Sequence, residues 1–248
     1  MVLIESVLTV LALSGALVNI TPLATMTVDV TTGQEVLFRP NEVVESRSDA
    51  SATGEHGFED IRQVLASVPA GRDVLAVMDR YSVALKFLSG KGASFRETEN
   101  LVVIGSDSST QVAALDFVHE MTHASYYHEG IAADARSLGR DAYIERMLEE
   151  EAEAAVKAIE AKIELEQVPI KTPLAPFERK YKMASLMGWL SKSADGNLTV
   201  EEQTRIGRQA GKESISAALK DGEGVGGRSG LPYPVIYGRF WDQVNGGK

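Results

Sequence analysis

With 248 residues, of which 44% are hydrophobic and 24% charged, the chain has the composition of a soluble globular protein built as one large domain or as a core with a smaller appendage. Its 35 acidic residues against 25 basic ones leave a net charge of −10, which argues against a general phosphate-binding surface and hence against nucleic acid as a partner. The absence of cysteine excludes disulfides, thiolate zinc sites and a cysteine nucleophile, so any metal must be held by His, Asp and Glu.

The chain is uncharged between Glu5 and Asp29, and the first half of that stretch resembles the apolar region of a secretory signal. The first basic residue, however, is Arg39, and Glu5 stands where a positive charge belongs. Asn19, Thr21 and Pro22 interrupt the run before it reaches the roughly twenty residues of a membrane span. The favoured reading is a buried helix in a cytoplasmic protein, with a signal or membrane anchor as the alternative. A membrane is not the expected partner.

TMTVDV and EVLFR around TTGQ read as a hairpin, and residues 41–57 as a polar loop. Helices are expected from Phe58 and again from Gly71, where Val74, Leu75, Met78, Tyr81 and Leu85 keep helical spacing until Gly90 to Gly92 end the run. Leu101 to Ile104 reads as a short strand. A helix capped by Ser109 or Thr110 then runs through QVAALDFVHEMTHASYYH. Residues 141–166, rich in Ala, Glu, Leu and Lys and free of Gly and Pro, are expected to form the clearest helix. Prolines 169, 173 and 176 mark a break, followed by the helical stretches FERKYKMASLMGWL and VEEQTRIGRQAGKESISAAL, a Gly-rich linker and an aromatic tail. The expected organisation is an N-terminal segment (1–57), a core (58–168) and a helical C-terminal region (169–248).

Three of the four histidines fall within residues 119–128, and two of them belong to the sequence His119-Glu120-Met121-Thr122-His123. Positions i and i+4 of a helix project from one face, so both imidazoles can address one ion. Glu120, one residue round, then lies where it can take a proton from a water whose pKa the zinc has lowered to about 7. The bland alternative is a chance pair of surface histidines, since the motif has only three fixed letters. Helical placement after a strand, with Phe117 and Val118 as apolar neighbours, favours the metal.

The segment resembles the active helix of the zincin metallopeptidases, and the resemblance covers residues 58–166. It implies an α+β fold with a small sheet, an active-site helix and a glutamate-bearing helix, and an edge strand beside the active helix that holds a peptide substrate extended, for which NLVVIG is the candidate. HEMTHASYYHEG lacks the glycine and third histidine of the metzincin pattern and is more similar to the gluzincins, in which a glutamate from a later helix completes the site. The layout also resembles uncharacterised metallopeptidases with an acidic second helix.

A catalytic zinc site needs a third protein ligand. On the helix at 141–166 the apolar stripe is Ile144, Leu148, Ala152, Ala155, Ile159 and Ile163; Glu150 points to the opposite side, and Glu149 and Glu151 flank the stripe. Glu151 is the slightly favoured ligand and Glu149 its alternative, most of the other glutamates being expected to form a solvated face. His128 or Glu129 competes less well, because a step of five rotates His128 off the face of His123. Tyr127 and His128, with Tyr126, Tyr233 and Tyr237, are candidate donors to the oxyanion of a tetrahedral intermediate, and each is equally well explained by packing.

Other signals are set aside. SKSADGNLTVEE resembles an EF-hand loop but has serines at two anionic positions, and is better read as a turn before a helix with a Thr199/Glu202 capping box. AGKES lacks the leading glycine of a phosphate loop. The expected function is therefore zinc-dependent hydrolysis of a peptide or protein substrate, the alternatives being an inactive zincin-like binding module or the catalytic part of a larger toxin.

Overall fold

The computed structural model describes residues 57–168, 170–193, 198–226 and 230–246. The expected N-terminal apolar segment, hairpin and polar loop through His56 lie outside the described residues. Helix α1 (Phe58–Ala66) follows Gly57, whose N–H is taken by the Asp60 carboxylate at 2.9 Å. Helix α2 (Pro69–Tyr81) starts on a proline, whose missing N–H has no partner to lose at that position. Ser82, in the left-handed region at φ 52°, stops it. The helix expected to continue to residue 89 therefore ends at Tyr81, and Ala84–Leu88 form strand β1. Val83, Leu85 and Phe87 alternate inward while Ala84 and Lys86 face solvent, so a period of two overrides the accidental helical spacing of Tyr81 and Leu85.

Strand β2 (Ala93–Arg96) leads through a 3-10 turn (Glu97–Glu99) and a left-handed Asn100 into strand β3 (Leu101–Gly105). The sheet order is β1-β3-β2, with β1 parallel and β2 antiparallel to β3. NLVVIG thus supplies the central strand, not the edge strand. Val102, Val103 and Ile104 are all fully buried, the continuous apolar run of a strand covered on both faces. The edge next to the motif helix is β2.

Helix α3 (Thr110–His128) is capped by the Ser109 hydroxyl, which accepts from Val112 N–H. Helices α4 (Arg140–Leu165), α5 (Glu178–Ser193), α6 (Val200–Lys220) and α7 (Tyr233–Asn245) follow. The described residues thus form a mixed α and β fold of seven helices and one three-stranded sheet. The Thr199/Glu202 box opens α6 as expected, and the aromatic tail is itself a helix, α7. Among the described residues no helix is long and apolar enough to cross a membrane.

Two hydrophobic clusters meet on α4. One joins α1, α3 and the sheet to Ala158, Ala161 and Leu165; the other joins Leu148, Ala152, Val156 and Ile159 to Tyr181, Ile215 and Leu219 of the C-terminal helices. The apolar stripe read from the sequence therefore faces α5 and α6, and a second stripe of small residues faces α3. Helices α5 and α6 cross closely at glycines: a Cβ at Gly188 would lie 2.7 Å from Ala210 Cβ.

Lys162 and Glu178, each 2% exposed, join α4 to α5 through a 2.9 Å ion pair, and Glu178 also accepts from Ala175 N–H at 2.9 Å. Removing one charge leaves the other with only a half-exposed partner, Glu166 for Lys162 or Lys182 for Glu178, and still costs stability, whereas replacing both need not. Glu178→Ala should lower the free energy of unfolding in urea by about 2–4 kcal/mol, and the double change Lys162→Met with Glu178→Leu should cost less than either single change. Additive losses would show that the two charges are not coupled.

Candidate metal centre

Helix α3 buries Ala113, Ala114, Phe117, Val118, Met121 and Ala124, which fixes its rotation and turns His119, Glu120 and His123 toward α4 and β2. His119 Nε2 and His123 Nε2 stand 3.3 Å apart. From α4, Glu151 Oε2 comes within 3.2 Å of His119 Nε2 and Oε1 within 3.5 Å of His123 Nε2. Among the described residues these three are the group of ligand-type side chains whose donor atoms converge, all within 4.8 Å of one another. Zinc-to-ligand bonds of about 2.0–2.1 Å in a tetrahedron place neighbouring donors about 3.3–3.5 Å apart, which the 3.3 Å between the two nitrogens and the 3.2 Å from His119 Nε2 to Glu151 Oε2 approach on two edges. Two nitrogens and one carboxylate oxygen also suit zinc chemically.

Glu149, the alternative ligand, is instead on the surface, its side chain 47% exposed and 3.4 Å from Arg146. What separates it from Glu151 is the second stripe of α4. Glu151, Ala154, Ala158, Ala161 and Leu165 follow one another at three- and four-residue steps, and all are buried.

The expected solvated acidic face is corrected. Glu150 is 3% exposed and accepts from Ala133 N–H at 2.6 Å, and buried Glu153 is paired with Arg208 and, at 2.8 Å, with Lys212. Each finds a donor brought in by another element, which helical periodicity alone does not reveal.

The centre's charges are tightly linked. Burial disfavours a proton on His119, but the hydrogen bond and charge of Glu151, with Glu120 and Asp116, outweigh it and raise the ring to about 9. Burial drives His123 down to about 4 against the pull of Glu151, and the charge on His119 adds to the effect. Glu151 stays ionised, down at about 2, because the two rings and Tyr237 outweigh its burial. Glu120 is pushed up to about 7 by burial, with His119 opposing and Glu151 adding, while Phe95 N–H donates to its Oε2 at 2.7 Å. A carboxylate poised there suits general base work near neutrality. Asp116, raised to about 6 by burial and then by Glu120, is a further member that the motif does not announce, although its place one turn before Glu120 puts it on the same face.

The candidate oxyanion donors sort differently. His128 stacks on Tyr81 with ring centroids 4.5 Å apart and donates to Asn100 Oδ1 at 2.8 Å. It therefore pins the end of α3 to the turn before β3. Tyr127, 41% exposed, lies edge-on to Phe95, and Tyr126 lies within the field of Glu153 and Glu150. Tyr237 is the tyrosine brought into contact, its hydroxyl donating to Glu151 Oε1.

Glu150 offers a test of this charge assignment. Burial raises it to about 7 against the Ala133 N–H and Arg146, so between the usual carboxylate range and about 7 the unfolded chain releases a proton that the folded one keeps, and stability falls across that window and levels off above it. Glu150→Gln keeps an acceptor for Ala133. The variant should match wild type in urea unfolding at pH 4 and exceed it by about 2 kcal/mol at pH 8; the same difference at both pH values would rule out the buried charge as its cause.

Comparison with protein-family models, with curated proteins and with solved structures finds no match to this chain.

Proposed function

We propose that the protein is a zinc-dependent peptidase of the zincin type, with His119, His123 and Glu151 as metal ligands and Glu120 as general base. The observation that carries this reading is the convergence of two imidazoles and a carboxylate, with His119 Nε2 3.3 Å from His123 Nε2 and 3.2 Å from Glu151 Oε2 and the three donor atoms within 4.8 Å of one another, beside a further carboxylate, Glu120, on the same helix. The order of elements, a small sheet followed by a motif helix and a glutamate-bearing helix, supports it as an arrangement similar to the zincin core.

Bound there, a zinc ion supplies Lewis acidity, polarising a carbonyl and lowering the pKa of a water to about 7. Glu120 takes a proton from the attacking water and later delivers it to the departing amine nitrogen, so one carboxylate serves both proton transfers as the C–N bond is replaced by a C–O bond. Phe95 N–H holds one oxygen of that carboxylate, so the residue proposed as base stands beside the edge strand β2. An extended substrate would lie along β2 rather than along β3, whose two sides are already paired.

Elemental analysis should find about one zinc per chain in wild type, lost in His123→Ala, weakened in Glu151→Ala and unchanged in Glu149→Ala. A wild type that takes up no zinc after addition and dialysis would refute the centre.

Glu120→Gln should retain the zinc and lose hydrolysis of a peptide library by about 10²–10⁴-fold. Undiminished hydrolysis in that variant would remove Glu120 from the mechanism, and peptide binding without turnover in both proteins would point to a binding module.

A further inference from the structure

We propose that Tyr237, from the last helix, is a positioning residue of the metal centre, which holds Glu151 Oε1 so that Oε2 alone is presented to the ion. The proposal rests on the reading of His119, His123 and Glu151 as metal ligands.

A carboxylate facing an ion can bind through one oxygen or both, and something must decide. Here the two oxygens are not equivalent. Oε2 faces His119 Nε2 at 3.2 Å, whereas Oε1 is farther from its histidine, 3.5 Å from His123 Nε2, and also receives the Tyr237 hydroxyl. A neutral phenol donates without adding charge, so it occupies one lone pair of Oε1 and leaves the carboxylate anionic. Hydrogen bonds of this kind to ligating groups fix their orientation and contribute to metal affinity.

The phenol is aimed by packing. Its ring meets Tyr143 nearly at right angles with centroids 6.4 Å apart and Tyr233 at 6.0 Å, and Tyr143 is buried and stacks in turn on Phe240. Helix α7 is fastened to the connection between α3 and α4: Trp241 Nε1 donates to Leu138 O at 2.9 Å and Asn245 Nδ2 to Ala135 O at 2.8 Å. Arg140 grips both Asp242 oxygens, at 2.9 and 3.2 Å. That ion pair is about half exposed and contributes little; the ring contacts and the two bonds to backbone carbonyls hold the helix in place. The C-terminal region is on this account a structural part of the centre, although Tyr237 stands 86 residues from the ligand it holds.

The test uses the full chain as wild type, Tyr237→Phe and Tyr181→Phe. The last removes the hydroxyl of another tyrosine that donates to a glutamate, Glu160, at 3.3 Å in the other cluster, and so measures what the loss of a tyrosine–glutamate hydrogen bond away from the centre does. Zinc affinity is read by competition with a chromophoric chelator, and coordination number from the visible absorption of the cobalt-substituted proteins, which weakens as cobalt passes from four to five ligands. Tyr237→Phe should bind zinc about 10–100-fold more weakly and lose cobalt absorption intensity as the freed Oε1 joins the ion, while Tyr181→Phe matches wild type in both. Wild-type affinity or a wild-type cobalt spectrum in Tyr237→Phe overturns the proposal and leaves the metal centre standing, and an equal loss in Tyr181→Phe likewise overturns it. A wild type that binds neither metal overturns the centre itself.

Discussion

A carboxylate removed from water must be met by charge or by hydrogen-bond donors, and α4 buries three of them within four positions, Glu150, Glu151 and Glu153. Each is met from a different direction. The connection after α3 answers Glu150 through Ala133 N–H, α3 and α7 answer Glu151 through His119, His123 and Tyr237, and α6 answers Glu153 through Arg208 and Lys212. The acidic run thus organises the packing around it, and the site is one of three solutions to the same electrostatic demand. Lys162 and Glu178 extend the pattern to α5.

On the proposed reading of the cluster as a metal centre, protons and a cation are alternatives there. Glu151 is ionised and His119 retains a proton above neutrality, while His123 is driven neutral. A divalent ion needs both rings neutral and the carboxylate charged, so it would take the place of the proton that Glu151 favours on His119. Exchange of that proton for a metal keeps the buried carboxylate compensated, which is the coupling of metal affinity to protonation expected of such ligands.

Part of this was legible in the residues. The spacing of His119 and His123, the strand before them and the capped helix at Thr199 are local patterns, and local patterns survive folding. The strand β1 was hidden because Tyr81 and Leu85 satisfy a helical period, while the alternation of Val83, Leu85 and Phe87 is equally present; Ser82 at φ 52° decides between them. That NLVVIG forms the central strand and β2 the edge is not legible in either segment, because strand order depends on pairing, which no single segment contains. The bulkier stripe of α4 does not decide between Glu149 and Glu151, which flank it on either side. The stripe of Ala154, Ala158, Ala161 and Leu165 is made of residues small enough to look like filler, yet it is the one that turns Glu151 toward α3. The partners of Glu150 and Glu153 come from remote elements, and helical periodicity has no way to announce them.

The distance along the chain between Tyr237 and Glu151 has its own consequence for how the centre tolerates change. His123 and Glu151 close a loop of 28 residues (151 − 123), and Glu151 and Tyr237 one of 86. Loop-closure entropy grows only with the logarithm of length, so the longer closure costs about 1 kcal/mol more than the shorter one. Recruiting a hydroxyl from the far end of the sequence is therefore nearly as cheap as taking one from a neighbouring turn. The connections among α4, α5, α6 and α7 are accordingly free to lengthen in evolution without loosening the phenol, provided the anchors on residues 135–140 keep α7 in place.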